Sequence, residues 1–369
     1  MKFFCEKKIF MDAISTTQKA VSSKSTLAQL EGILIELKGN TLNMTGYDLE
    51  MGIKCSIQVN GEMDGAVIVN SKLMGEIIRS FSEKEIYFEK DDKNLILLKS
   101  GMAEFRIVGL PSSDFPELPK IVSENSLSIS QQKLKSMIEQ TIHAVMTIDT
   151  RPIQMGERFE IKDGIVTVVA VDGCRLAMRK EEIEDKDKDF SFVVPGKALS
   201  EIIHILKEDD TAITVSLSKK HILFEIENVV MFSRLLEGEF LNYRNAIPVE
   251  KKITVEADVK TFVESVERAA LLINEKIKSP LKCKIEYDVI KIECMTSQGK
   301  INDEFKVTSS GGNLEMGFNS RFLLDSLKNC KKEKVKIEMT TQHSPMVIKP
   351  VEGEDFLFLV VPVRLKNEA

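Results

Sequence analysis

No run of about 18 apolar residues occurs in the 369-residue chain, so the sequence holds no candidate membrane-spanning helix. The opening residues, MKFFCEKK, have neither a long apolar stretch nor a small-residue cleavage site, and do not read as a secretory signal. Six cysteines (Cys5, Cys55, Cys174, Cys283, Cys294, Cys330) are scattered without a C-x-x-C pair. That is the pattern of reduced thiols in a cytoplasmic protein, not of disulfides or zinc ligands. The four histidines (His143, His204, His221, His343) stand far apart, HExxH is absent, and they read as surface or helix-face residues. No metal or cofactor is expected. The phosphate-cradling patterns G-x-x-x-x-G-K and G-x-G-x-x-G are also missing, and SSGGN at 309–313 reads as a hairpin or turn.

What is present is ordinary in amount and unusual in arrangement. Hydrophobic residues make up 43% and charged residues 29%, enough for two or three globular domains. The stretch SKLMGEIIRSF (71–81) has Leu73, Ile77, Ile78 and Phe81 at helical spacing, and similar helices recur as PGKALSEIIHIL and NSRFLLDSLKNC. A second amphipathic helix lies upstream of each, starting near residues 7, 131 and 259. Its apolar stripes are Ile9, Phe10, Ala13, Ile14; Leu134, Met137, Ile138, Ile142, Val145; and Phe262, Val263, Val266, Ala270. The repeat of about 125 residues is the size of a domain, not of a solenoid unit.

Between the helices the pattern switches to alternation, as in TLNMTGYDLEMGIKCSIQV, RFEIKDGIVTVVAVDGCRLAMRK and CKIEYDVIKIECMTS. The expected fold is therefore α+β: three repeats, each with two helices and antiparallel strands. Proline-bearing stretches near 110–119 and 240–248 suggest domains over 1–118, 119–248 and 249–369.

The chain carries a net −6, which taken whole argues against a polyanion partner. The six helical segments nevertheless sum to +7, leaving −13 for everything else. Such segregation suits a basic helical surface facing a polyanion, although solvated helix faces also carry lysines. Asp48 in GYDLE and Asp172 in VDGCR are the best candidates for a carboxylate pair in a hydrolase. Their equivalent places in two repeats favour turn chemistry, in which Asp bonds nearby backbone. Cys174 beside Arg175 reads as an ordinary half-buried cysteine rather than a nucleophile. No catalytic residue is assigned.

The repeat, with LPSSDFPELP, VDGCRLA, FLNYRNAIP, RAALLINEK, MGFNSRFLLDSL and VVPVRL in that order, resembles the bacterial DNA polymerase III beta subunit (sliding clamp) family along its whole length. The resemblance implies three DNA-clamp domains forming half of a ring, a homodimer closing head to tail, and helices lining a hole for double-stranded DNA. It implies no enzymatic reaction. The expected partners are a second copy, duplex DNA, and the replicative polymerase, clamp loader and repair proteins; no membrane is involved. The remaining alternatives are a scaffold of this fold that does not encircle DNA and a β-rich hydrolase built on Asp48, Asp172 or Glu pairs.

By the same resemblance, Lys24, Lys72, Arg79, Arg151 and Lys197 are candidate DNA contacts. Glu104 and Phe105 on one side, with Leu271, Leu272 and Lys300 on the other, are candidate dimer contacts. A pocket for short peptide motifs would draw Asp172, Gly173, Arg175 and Leu176 from one segment, and Leu241 and Asn245 from another. Asn319, Phe322, Pro345 and Met346 would join them, with Ile277. The C-terminal wall would be Val361, Pro362, Val363, Arg364 and Leu365. Val171 and Cys174 stand where the family commonly has Thr and His, Gln154 where it has Leu, Leu241 where it has Pro, and Asn245 where it has Arg. These departures bear on which motif the pocket prefers.

Overall fold

A computed structural model describes residues 1–22, 24–148, 151–273 and 279–365. The first repeat runs β1 (Lys2–Glu6), α1 (Lys7–Thr17), β2 (Gly32–Lys38), β3 (Thr41–Tyr47), β4 (Met51–Gln58), β5 (Asn60–Met63), β6 (Gly65–Asn70), α2 (Ser71–Ser80), β7 (Glu85–Lys90), β8 (Leu95–Ser100) and β9 (Ala103–Val108). The second runs β10 (Asn125–Ser130), α3 (Gln131–Thr141), β11 (Gly156–Lys162), β12 (Ile165–Val171), β13 (Arg175–Glu182), β14 (Phe190–Pro195), α4 (Gly196–Ile203), β15 (Ala212–Leu217), β16 (His221–Ile226) and β17 (Val229–Arg234). The third runs β18 (Ile253–Asp258), α5 (Val259–Ala270), β19 (Leu281–Glu286), β20 (Val289–Thr296), β21 (Gly299–Lys306), β22 (Thr308–Ser310), β23 (Leu314–Phe318), α6 (Ser320–Lys328), β24 (Lys334–Met339), β25 (Met346–Pro350) and β26 (Phe356–Val360).

Each of the six α-helices follows within one residue of a strand, and side chains mark three of the junctions. Asn70 accepts from the Leu73 amide at 2.9 Å, Asp258 from Thr261 at 2.7 Å and Asn319 from Arg321 at 3.0 Å. The buried stripes are narrower than the sequence suggests and sit slightly round the helix. In α2 the buried positions include Met74, Ile77 and Ile78, while Leu73 is 43% exposed. In α1 Phe10, Ala13, Ile14 and Thr17 are buried and Ile9 is exposed. In α5 Phe262, Ser265, Val266 and Ala269 are buried, with Ala269 in place of Ala270. A spacing of i, i+3, i+4, i+7 covers only one face, so an apolar residue one step outside it faces solvent.

The sheets do not follow the repeats. One has the order β6-β2-β3-β4-β17-β16-β15-β10, and another β14-β11-β12-β13-β26-β25-β24-β18-β22. Each joins one half of a repeat to the other half of the next, through β4 with β17 and β13 with β26. The unmatched halves form sheets of their own, β5-β1-β7-β8-β9 and β21-β20-β19-β23. The chain accordingly folds as two compact units, residues 1–132 with 204–235, and residues 133–203 with 236–369.

SSGGN is not a hairpin. β22 pairs with β18 and β23 with β19, so the segment passes between two sheets. Gly311 is required there: its φ is +101°, and a Cβ would lie 1.8 Å from the Lys252 carbonyl oxygen.

Candidate functional site

The second unit's site begins with a local turn. The Asp172 carboxylate accepts from the Cys174 amide at 2.9 Å and the Arg175 amide at 3.0 Å, while Gly173 takes a φ of +86°. The first unit contains the same turn, with Asp48 accepting from Glu50 at 3.0 Å and Met51 at 2.7 Å. Both aspartates are turn residues, as their equivalent positions suggest. At Asp172 the other oxygen also meets Arg175 Nε at 2.9 Å. That guanidinium reaches Asp325 on α6 at 2.5 Å and lies 4.5 Å from the Phe322 ring centroid. Arg175 is 8% exposed, so its charge is matched by two carboxylates and an aromatic face instead of water.

Next to this cluster the C-terminal segment leaves β26. The Val361 amide donates to the Cys174 carbonyl at 2.9 Å, and the Val363 amide to the Gly317 carbonyl at 2.8 Å. Val361 packs on a small apolar cluster containing Val171, Leu176, Met178, Phe240, Tyr243 and Leu359. Segments nearly two hundred residues apart therefore converge on one place, with Val363 40% and Leu241 42% exposed. Val171, Leu176 and Met346 are all buried, the first two within this cluster and Met346 in the neighbouring core.

The loop bearing Leu241 and Asn245 is held from below. The Glu160 carboxylate accepts from Tyr243 Oη at 2.7 Å and Arg244 Nη2 at 2.6 Å, and meets Arg158 at 2.9 Å. Burial pushes this carboxyl up, but the bonds from Tyr243 and Arg244 outweigh it and hold it below its ordinary value. An open cavity of about 600 Å³ lies on this sheet face, lined in part by Arg158, Lys162, Phe190 and Arg244.

Other expected pocket residues are accounted for individually. Gln154 is 3% exposed, and its side-chain oxygen is buried without a hydrogen-bond partner. Asn319 is committed to capping α6, while Asn245 and Arg364 are exposed and Pro345 and Pro362 are partly buried. Leu365 is partly buried beside Gly317. Ile277 lies outside the described residues. Cys174 is exposed, not half-buried, because its turn projects beyond the sheet. His143 is not a surface residue either. Both ring nitrogens are buried without a hydrogen-bond partner, and the ring stands edge-on to Phe358 at 5.5 Å. Burial and then the Arg175 charge push its pKa down to about 4.

Asp325, Phe240, Tyr243 and Gly317 were not singled out from the sequence. Asp325 sits inside an amphipathic helix, and nothing in its spacing pairs it with an arginine 150 residues away.

The five candidate DNA contacts, Lys24, Lys72, Arg79, Arg151 and Lys197, are all exposed. Lys72 and Arg79 share a face of α2, seven residues apart. A Cβ on Gly196 would lie 3.2 Å from the Met155 carbonyl oxygen, so the segment after Arg151 abuts the start of α4, where Lys197 stands. Glu104 and Phe105 lie on β9, and Lys300 on β21, each the last strand of its sheet. Glu104 pairs with Lys99 and Arg106, and Phe105 packs edge-on against Phe81. Leu271 is 83% exposed just beyond α5, and Leu272 packs partly against the core. Among the described residues no three metal-ligating side chains cluster, and no helix is long and apolar enough to cross a membrane.

Models of the N-terminal, central and C-terminal domains of the DNA polymerase III beta subunit match residues 1–119, 128–242 and 244–364. The chain belongs to the DNA polymerase III beta subunit family. Within that family it is 33% identical over 378 residues to the beta sliding clamp of Halalkalibacterium halodurans, covering 99% of this chain and 100% of the relative. The crystal structure of the DNA polymerase sliding clamp of Bacillus subtilis superposes with a TM-score of 0.96 at 28% identity, covering 99% of this chain and 100% of the other. A sliding clamp of Pseudomonas aeruginosa bound to griselimycin matches at 0.94 and 26%, with the same coverage. The architecture of this family member is α+β, with three clamp repeats built of helices and antiparallel sheet.

Proposed function

We propose that the protein is a sliding clamp: a homodimer that encircles duplex DNA and tethers the replicative polymerase, the clamp loader and repair proteins. The three repeats would be domains over 1–118, 119–248 and 249–369, and the chain would perform no reaction of its own. The observation that carries this reading is the unfinished strand pairing. The junction made by β4 with β17 recurs as β13 with β26. By the same correspondence β9 and β21 are the remaining pair, and each ends its sheet with no strand on its outer side among the described residues. An edge left open at both ends is satisfied by a second copy, β9 of one against β21 of the other. This contact is heterologous, and it produces a finite assembly only if its rotation closes. Phe105, Leu271 and Leu272 would supply the apolar part, and Glu104 and Lys300 a charge pair.

A closed ring holds DNA topologically, so screened phosphate contacts suffice and base contacts are unnecessary. Lys24, Lys72, Arg79, Arg151 and Lys197 would serve as such contacts. Partner segments would dock against Arg175, Leu241, Val361, Val363 and Leu365, with an extended peptide carrying Gln near its start and Leu-Phe near its end. Burying two large apolar side chains is worth on the order of 3–6 kcal/mol before ordering costs, so a bare peptide should bind at micromolar strength.

The test is a mass measurement at micromolar concentration with a retention assay. The expected species is about twice 41.6 kDa, loaded on circular DNA by a clamp loader and lost when the circle is cut. A monomer, or equal retention on linear and circular DNA, would overturn the reading.

A further inference from the structure

We infer that Gly317 is a positioning residue for partner binding: it seats the C-terminal segment Val361–Leu365 as the wall of the peptide pocket. The inference rests on the pocket reading above and adds what holds that wall in place. β26 belongs to the nine-stranded sheet, whereas Gly317 lies on β23 of the four-stranded sheet. The C-terminal segment passes from one to the other and is fastened twice, to Cys174 in the turn that precedes β13 of the first and to Gly317 of the second.

The second fastening leaves no room for a side chain. A Cβ on Gly317 would lie 2.7 Å from the Val363 carbonyl oxygen, 2.8 Å from Leu365 Cδ2 and 3.1 Å from Leu365 Cγ. The first of these is backbone and has no rotamer to escape into, so the segment itself must move. Gly317 is absent from the residues with positive φ, so close approach is what demands glycine here, not backbone conformation. The residues that would be displaced are Val363, 40% exposed and available to a ligand, and Leu365, which covers Gly317. A methyl group placed outside the pocket's apolar surface should therefore disable it.

The experiment compares three variants of the full-length protein with the parent, using a synthetic peptide with Gln near its start and Leu-Phe near its end. Gly317→Ala should weaken peptide binding at least tenfold and leave the dimer intact. Gly65→Ala is the control for general crowding: a Cβ there would lie 2.7 Å from Met1 Cβ, in the other unit, and peptide affinity should not change. Val363→Asp places an unpaired charge in the pocket and should abolish binding. Binding by Gly317→Ala within twofold of the parent, while Val363→Asp fails, overturns the role of Gly317 and leaves the pocket standing. Equal losses in Gly317→Ala and Gly65→Ala overturn it as well. Parent-like binding by Val363→Asp removes the pocket and this inference together. Amide hydrogen exchange on the parent tests the seat without a variant: the Val363 amide should be protected, and exchange at an unstructured-peptide rate would refute the fastening.

Discussion

The Asp48 and Asp172 turns are one device used twice, 124 residues apart, and their differences show how much the surroundings of a repeated turn can change. In both, one carboxylate oxygen gathers the amides two and three residues on, and the residue after the aspartate takes a positive φ, +77° at Leu49 and +86° at Gly173. The fourth residue differs. Met51 is buried at 2% exposure in the first unit, whereas Arg175 pairs with Asp172 and Asp325 and lies on Phe322. The same offset sets Ile33 against Glu157, both buried, and Lys19 against His143. The second copy thus carries three polar groups in or near its core. Turn chemistry is local and survives repetition; what the turn supports is free to change.

The largest effect should come from removing what differs most. Arg175→Ala leaves two carboxylates facing one another without their shared cation. It should cost the second unit about 3 kcal/mol, and peptide binding should fall more than a hundredfold in a fluorescence titration. Met51→Ala at the matching place should cost about 2–4 kcal/mol through its cavity and leave peptide affinity unchanged. Equal effects on affinity would end the distinction between the two turns.

His143 should make the fold sensitive to acid. Its folded pKa of about 4 lies below the ordinary 6.5, so the unfolded chain binds this proton first and stability falls as pH drops from 6.5 to 4. The full difference is about 3 kcal/mol. Denaturant melts of the parent and His143→Phe should diverge across that window and run parallel above it. Parallel curves throughout would mean that the ring is solvated.

Glu157 has the opposite sign. Burial raises its carboxyl well above the usual range despite the bond from Thr141 at 2.8 Å, so it favours the folded state below its ordinary value and opposes it as pH rises. Exchanging in the residue of the first repeat, Glu157→Ile, should stabilise the protein at pH 7 by about 1–3 kcal/mol, with the gain shrinking toward pH 4. A destabilised variant at pH 7 would show that the carboxyl is satisfied.

The smallest effect is at the turn's second position. A left-handed conformation costs a side chain about 1–2 kcal/mol, so Leu49→Gly should be neutral or up to 1 kcal/mol stabilising, since Leu49 is half exposed and gives up little packing. Gly173→Ala should cost about 1 kcal/mol, although a Cβ there would meet nothing within 4 Å. Thermal melts of both variants sharpen the comparison by separating backbone strain from contacts.

Much of this was legible beforehand, and the reasons for the rest are specific. The six helices are found where their periodicity places them, and the aspartate turns where their spacing does. The strands β1, β7 and β18 alternate in burial as the others do, but each abuts charged residues or a helix and does not stand out as a separate run. His143 reads as a helix-face residue because its partner, Phe358, comes from a strand more than two hundred residues later. Val171, Leu176 and Met346 stand out by motif, but that all three are buried was not legible in the sequence.

The sequence by itself determined the threefold repeat, the two helices of each repeat and the turns at Asp48 and Asp172. All of these depend on interactions within a few residues, where spacing is geometry. Only the tertiary structure decided that β4 pairs with β17 and β13 with β26, and that Val363 rests on Gly317. An alternating strand specifies which of its faces is buried but not which strand lies beside it. Partner choice is made by backbone groups that every residue carries, so it leaves no mark on side-chain pattern. The clearest trace is a glycine such as Gly317, which reports a close approach without naming what approaches.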